Sequence, residues 1–396
     1  MGMNAPHPVN HAQRPRVAFV STMEGCPWGG SEWLWHSAAL LLREAGCAVA
    51  VSVPRWDPVP DPVAELRNAG CAVRLRPRRE GMRRQILRRL SRIGGSADPG
   101  RVDADWLRHT KPDLVVISQG YPLEGIGWMR ECVRRGIRYT TIVQAAGELW
   151  WPEDELLEDM QSAYRNAEAV FFVSDANRRV VEWQCGAKME NAEPISNPWH
   201  RSVGGDVPWP EDDGTLRIAC VGRLDPRAKG QDLVLRMLAL PAWQGRALTV
   251  RFHGSGPCRE SLKAMSAMLG ATNASFAGES SDITTLWAAH HALLLPSRYE
   301  GAPLVIHEAM LCARPVITTD VAGNTDLLAD GINGFVIPAP TLPLLAQTME
   351  RAWQRRDAWR EMGRRARETA LTSLPPRPAA DLAKRLIGLS GNQSPS

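Results

Sequence analysis

The sequence predicts an α/β protein built from two parallel-sheet domains that face each other across a cleft. Short, almost wholly apolar runs alternate with helical stretches along most of the chain, as expected for strands covered on both faces by helices. The alternation breaks once, at "SNPWHRSVGGDVPWPEDDG" (196–214), where Pro, Gly and acidic residues crowd together without periodicity. Such a stretch reads as a linker. A length of 396 residues suits two domains.

The first run, "RVAFVST" (16–22), leads through "MEGCPWGGSE" into the helical pattern "EWLWHSAALLLREAG" and a second run, "CAVAVSV". Strand, Gly-rich turn, helix and strand in that order form a βαβ unit. The rhythm repeats as "PDLVVIS", "GWMRECVRRG" and "IRYTTIVQ", then as "DMQSAYRNA" and "AVFFVS". Beyond the linker come the runs "LRIACVG", "LTVRFHG", "HALLLPS" and "RPVITTD", with helical stretches between them. A last stretch, "PPRPAADLAKRLIGL" (375–389), follows a Pro break and reads as a separate terminal helix. The expected division is therefore 15–200, 214–374 and a terminal helix at 375–390.

No run of about 18 apolar residues occurs, which excludes a spanning helix. The first sixteen residues lack an apolar core, so they read as a disordered tail rather than a secretory signal. Eight scattered cysteines without a C-x-x-C pair fit reduced thiols in a cytosol. The net charge of +4 hides an asymmetry, because 74–93 holds nine Arg against one Glu. The remainder is mildly acidic.

Chemistry is expected where strands end. In "PSRYEGAPLVIHEAM" (296–310), Glu300 and Glu308 stand eight positions apart, around the turn signal 301–303 and an otherwise apolar stretch. Pro303 suits the first helical turn, and the helix is expected to run to Ala313 or Arg314. A carboxylate in so apolar a helix costs several kcal/mol unless something satisfies it. Two adjacent ligand hydroxyls, as on a ribose, would do so. Free N–H groups at 302–304 (Ala302, Pro303, Leu304), beside Gly301, would make the helix start an anion site. The alternative is a structural Glu308 bonded to backbone or Arg, with Glu300 capping the turn.

Arg223 and Lys229 in "CVGRLDPRAKGQDL" flank a turn after a strand and could hold a diphosphate; two solvated surface charges are the alternative. Gly29 and Gly30 in "PWGGSEW" would let backbone N–H groups approach a phosphate or sugar, or simply make a tight turn. Gly254 lies in "RFHGSGP", another Gly-rich strand end. The D-x-D triplet at 103–105 follows no strong strand and reads as coincidence. No H-E-x-x-H or similar metal-ligand spacing occurs.

Together these segments resemble the retaining nucleotide-sugar glycosyltransferases of family four, with the GT-B fold of two Rossmann-like domains. The resemblance spans 16–338 and is strongest in the second half, where Glu300 and Glu308 match the family's E-x7-E signature. It implies transfer of a sugar from a nucleotide-diphosphate sugar to a glycan, lipid-linked saccharide or small molecule, without a metal or other cofactor. Glu308 would hold the ribose hydroxyls and Glu300 the donor sugar. Arg223 and Lys229 would hold the diphosphate, with 302–304 and the Gly29–Gly30 loop completing the anion site. The base would lie near 278–282, and the terminal helix would cross back to the first domain. Two departures stand out. Gln144 replaces a frequent His; it can hydrogen-bond a donor-sugar hydroxyl but cannot act as a base, which makes nearby Glu148 a substitute. Asp326 stands where Glu is usual.

The acceptor is expected on the first domain, with Trp28, Trp150 and Trp151 as loop residues suited to stacking on sugars. Trp33 and Trp35 read as core. Within the basic stretch, Met82, Ile86, Leu90 and Ile93 share one helical face while Arg83, Arg84, Arg88, Arg89 and Arg92 lie elsewhere. A basic amphipathic helix of this kind would bring a cytoplasmic enzyme to an anionic membrane surface; a solvated Arg-rich insertion is the alternative. Competing functions are a sugar-nucleotide epimerase or hydrolase of the same fold, and a basic membrane- or nucleic-acid-binding module.

Overall fold

The computed structural model describes residues 14–77, 102–148, 151–199, 207–280 and 282–391. Seven strands form the first sheet: β1 (Arg16–Ser21), β2 (Ala48–Pro54), β3 (Ala72–Arg76), β4 (Leu114–Gln119), β5 (Tyr139–Val143), β6 (Val170–Phe172) and β7 (Ala192–Pro194). They lie in the order β3-β2-β1-β4-β5-β6-β7, and every pairing is parallel. Six strands form the second: β8 (Leu216–Val221), β9 (Leu248–His253), β10 (Ala274–Gly278), β11 (Ala292–Leu295), β12 (Val316–Thr319) and β13 (Gly334–Ile337). Their order is β10-β9-β8-β11-β12-β13, again all parallel.

The apolar runs are continuous because both faces of each sheet are covered. In β1, Val17 and Phe19 enter one core with Leu34, Trp35 and Leu42, while Ala18 and Val20 enter the opposite core with Trp128 and Met129. In β8, Ile218 and Cys220 point one way and Ala219 the other. The period of two is thus retained although neither face is polar.

Strand β3 overlaps the start of the basic stretch, and its two arginines, Arg74 exposed and Arg76 half-buried, are tied to neighbouring residues. Arg74 pairs with Asp103 at 3.0 Å. Arg76 bonds Ser52 and Ser21 and lies over the Trp128 ring. Asp103 also caps the helix Ala104–Thr110, so the D-x-D triplet has a structural use. Residues Arg83, Arg84, Arg88, Arg89 and Arg92 and their apolar partners lie outside the described residues. Among the described residues no helix is long and apolar enough to cross a membrane. All eight cysteines are free.

The helix Pro378–Gly391 packs on the helix Trp33–Glu44 of the first sheet's layer. Ala379, Leu382, Ala383, Leu386 and Leu389 bury there beside Leu34, Trp35 and Ala38. Arg385 holds Glu193 with a bidentate pair, and the Trp199 indole N–H donates to the Pro375 carbonyl at 3.0 Å.

Candidate functional site

In each sheet the strand order reverses between two neighbours, β1 and β4 in the first, β8 and β11 in the second. The loops leaving such strands diverge to opposite faces and leave a crevice at their carboxyl ends. The loop after β1 carries Gly29 and Gly30, that after β8 carries Arg223 and Lys229, and that after β11 carries Glu300. The two crevices meet. A Cβ on Gly30 would lie 3.3 Å from a Leu304 methyl, and one on Gly25 2.8 Å from an Arg223 guanidinium nitrogen.

Glu300 joins the two halves. Its backbone makes an isolated antiparallel bridge with Ala146 of the first domain. A Cβ on Gly301 would sit 1.7 Å from the Gln144 carbonyl oxygen, so only glycine permits this approach. The Tyr299 hydroxyl donates to the Gly120 carbonyl at 3.3 Å. The Glu300 side chain is buried, and its Oε1 accepts from Lys229 Nζ at 2.6 Å and from Ser297 Oγ at 2.7 Å. Arg223 is more open and lies 3.4 Å from Asp225. The two cations therefore face the crevice with carboxylates already beside them.

Glu308 lies in the helix Leu304–Leu311. Burial pushes its carboxyl up to about 7, and it has no hydrogen-bond or ion-pair partner among the described residues. Two details of this helix differ from expectation. Pro303 is its N-cap, with φ −72° and ψ 119°, rather than a first-turn residue. Proline also has no N–H, so the tip donors without a backbone partner among the described residues are those of Ala302, Leu304 and Val305. The helix ends at Leu311, earlier than expected, because Ala313 adopts a left-handed φ of 57°. Arg314 then turns inward and donates to the Trp287, His290 and Cys312 carbonyls.

Gln144 follows β5, is buried, and leaves both amide atoms unpaired. Asn177, which the sequence did not single out, is in the same condition near the start of the helix Asp175–Cys185. Buried unpaired amides cost about 1–3 kcal/mol each, so a polar occupant is expected at both. Gly254 has a simpler explanation: at φ 136° its Cβ would lie 2.2 Å from the Gly222 carbonyl. It is glycine because two loops touch. Around 278–282, Gly278 accepts from the Gly254 N–H at 2.7 Å, and Asp282 caps the helix Ile283–Ala288. Glu148 is exposed. Asp326 is held up by burial, with Asp175 and Arg179 nearby.

Sequence reasoning also missed Glu32, two residues past the glycine pair. It is buried, accepts from Ser21 Oγ at 2.6 Å, and burial raises its carboxyl to about 7. Trp28 differs from the free stacking platform expected: its ring packs at 5.6, 5.7 and 5.5 Å against Trp33, Trp35 and His36. Trp151 is exposed, and Trp150 lies outside the described residues.

Two parallel-sheet, Rossmann-like domains with facing switch-point loops are the architecture of the GT-B fold. Residues 215–355, within the second domain, match the family model "Glycosyl transferases group 1". The chain is 32% identical over 160 residues to lipopolysaccharide glucosyltransferase WaaG of Escherichia coli, covering 39% of this chain and 42% of that one. It is 31% identical over 137 residues to alpha-D-kanosaminyltransferase of Streptomyces kanamyceticus, covering 34% and 35%. The matches thus span less than half the length of these curated relatives. Anabaena Alr3699/HepE, solved with UDP-glucose, superposes with a TM-score of 0.72 at 16% identity, over 95% of this chain and 100% of that one. That likeness establishes the shared fold.

Proposed function

We propose that the protein transfers a sugar from a nucleotide-diphosphate sugar to a saccharide or lipid-linked acceptor, with retention of anomeric configuration and without a metal. The observation that carries this reading is Glu308, a half-buried carboxylate with no hydrogen-bond or ion-pair partner among the described residues, behind the amides at the start of a cleft-facing helix. A ribose diol satisfies such a group bidentately, and the helix start suits the adjoining phosphate. Lys229 and Arg223 supply the positive charge that the departing diphosphate needs. Glu300 binds hydroxyls of the donor sugar, and the Gln144 amide takes another. With Glu300 Oε1 already accepting two hydrogen bonds, we favour front-side attack by the acceptor over a covalent intermediate on this carboxylate. WaaG is named a glucosyltransferase and HepE was solved with UDP-glucose; UDP-sugars are therefore the first donors to try. The acceptor is expected on the cytoplasmic side, at or near a membrane surface.

The test is calorimetric titration with UDP, GDP and ADP, followed by turnover with the sugars of whichever binds. Lys229→Ala should lower kcat by roughly 10²–10³-fold, the usual cost of losing one group that stabilises a leaving anion. Activity should survive EDTA, and NMR should show the donor's anomeric configuration in the product. Binding of none of the three diphosphates would defeat the reading.

A further inference from the structure

The cation assigned to the diphosphate is already occupied in the free protein. Lys229 Nζ lies 2.6 Å from Glu300 Oε1, a charge-assisted contact between side chains only 21% and 7% exposed. The backbone on either side is clamped. Both Arg298 and Tyr299 donate their N–H groups to the Ala228 carbonyl, at 2.8 and 3.1 Å. Arg298 also holds Asp232 through two hydrogen bonds. At Gly230, with φ 68°, a Cβ would lie 2.1 Å from the Pro296 carbonyl. The two loops therefore move together, and what remains free to exchange is the lysine head group on its flexible stem.

Ser297 behaves differently. It is fully buried, its carbonyl is fixed by Thr319 Oγ1 at 2.6 Å, and its hydroxyl donates to the same Glu300 oxygen that Lys229 uses. A neutral donor locked in the core does not follow the lysine when a phosphate draws it away.

Resting on the function proposed above, we propose that Glu300 stands in for the diphosphate on Lys229 while the cleft is empty. Donor binding transfers the lysine to the phosphates, and Ser297, a positioning residue, keeps the freed carboxylate aimed at the sugar. An intact donor brings hydroxyls that replace the lost lysine on Glu300. A bare nucleoside diphosphate, the product, brings none. Return of Lys229 to Glu300 then favours product release, and the pair discriminates donor from product through a side chain that meets both.

The experiment is calorimetric titration of the full-length protein, with UDP, GDP or ADP according to which the wild type binds. Removing the competing charge in Glu300→Gln should tighten diphosphate binding by about tenfold, the equivalent of about 1.4 kcal/mol, while abolishing most turnover. Glu300→Ala is the second variant and should shift binding in the same direction. Ser297→Ala should lower kcat by about tenfold, leaving the diphosphate Kd within about twofold of the wild type. Unchanged or weaker diphosphate binding in both Glu300 variants overturns the stand-in. Parallel loss of kcat and diphosphate affinity in Ser297→Ala overturns the positioning role. Absence of diphosphate binding in the wild type instead defeats the underlying functional reading, and this inference with it.

Discussion

At the scale of single residues, the role proposed for Glu308 ties function to stability. Burial disfavours its charged form and raises the carboxyl from 4.5 to about 7. A raised carboxyl contributes fully below its unfolded value, and that contribution is lost as pH rises towards the folded one. The free protein should therefore lose roughly 1–3 kcal/mol from this group between about pH 4.5 and 7. Glu308→Gln removes the penalty. Its melting temperature should exceed that of the wild type at pH 8 and approach it at pH 5, while nucleotide affinity falls at least about tenfold. Glu32 has the same sign of shift but is common to both proteins, so the difference isolates Glu308. A variant less stable than wild type at pH 8 would mean that the carboxylate has a protein partner. The pairing of Glu300 with Glu308 and the apolar context were visible in the sequence, because spacing and hydropathy are local. Ser297, Glu32 and Asn177 were not, because what distinguishes them is an oxygen, a burial or a missing partner supplied by distant residues.

At the scale of elements, the seam between the loop after β11 and the first domain depends on small residues. A Cβ at Gly301 meets the Gln144 carbonyl and one at Gly147 meets the Tyr299 ring at 2.5 Å. Neither is at a positive φ, so the glycines are needed for proximity rather than for backbone conformation. Gly301→Ala must push the loop from the bridge with Ala146, and kcat/KM should fall by about tenfold or more. Because each sheet keeps its own core, the melting temperature should drop only slightly and nucleotide affinity should change less than turnover. An equal loss of affinity would place the damage in the second domain alone. The sequence marked Gly301 as a turn, which its composition allowed. The carbonyl that excludes a side chain lies on another domain, beyond the reach of any local pattern.

At the scale of the molecule, the chain crosses the seam twice. Residues of the helix Pro378–Gly391 complete the core under β1 and β2 that the first sheet's own helices leave open. Leu382 and Leu386 have no exposed surface. Leu386→Ala should destabilise the first domain by about 2–5 kcal/mol, seen as a lower denaturant midpoint for that domain with the second unchanged. Unchanged stability would mean the helix is only docked. The sequence separated this helix from what precedes it through "LPPRP", and its apolar spacing required some partner.

Nine of the thirteen strands with their intervening helices, the break between the halves and the residues at strand ends follow from hydrophobic period and turn chemistry, so the sequence alone determined them; β3, β7, β10 and β13, short or half-exposed, were not read there. Which switch points face each other, which oxygen Lys229 meets and which carboxylate remains unpaired were decided only by the tertiary structure. The physical reason is that burial and electrostatic pairing depend on distances between residues far apart in the chain: Lys229 and Glu300 are separated by 71 positions, and no periodicity encodes a contact of that range.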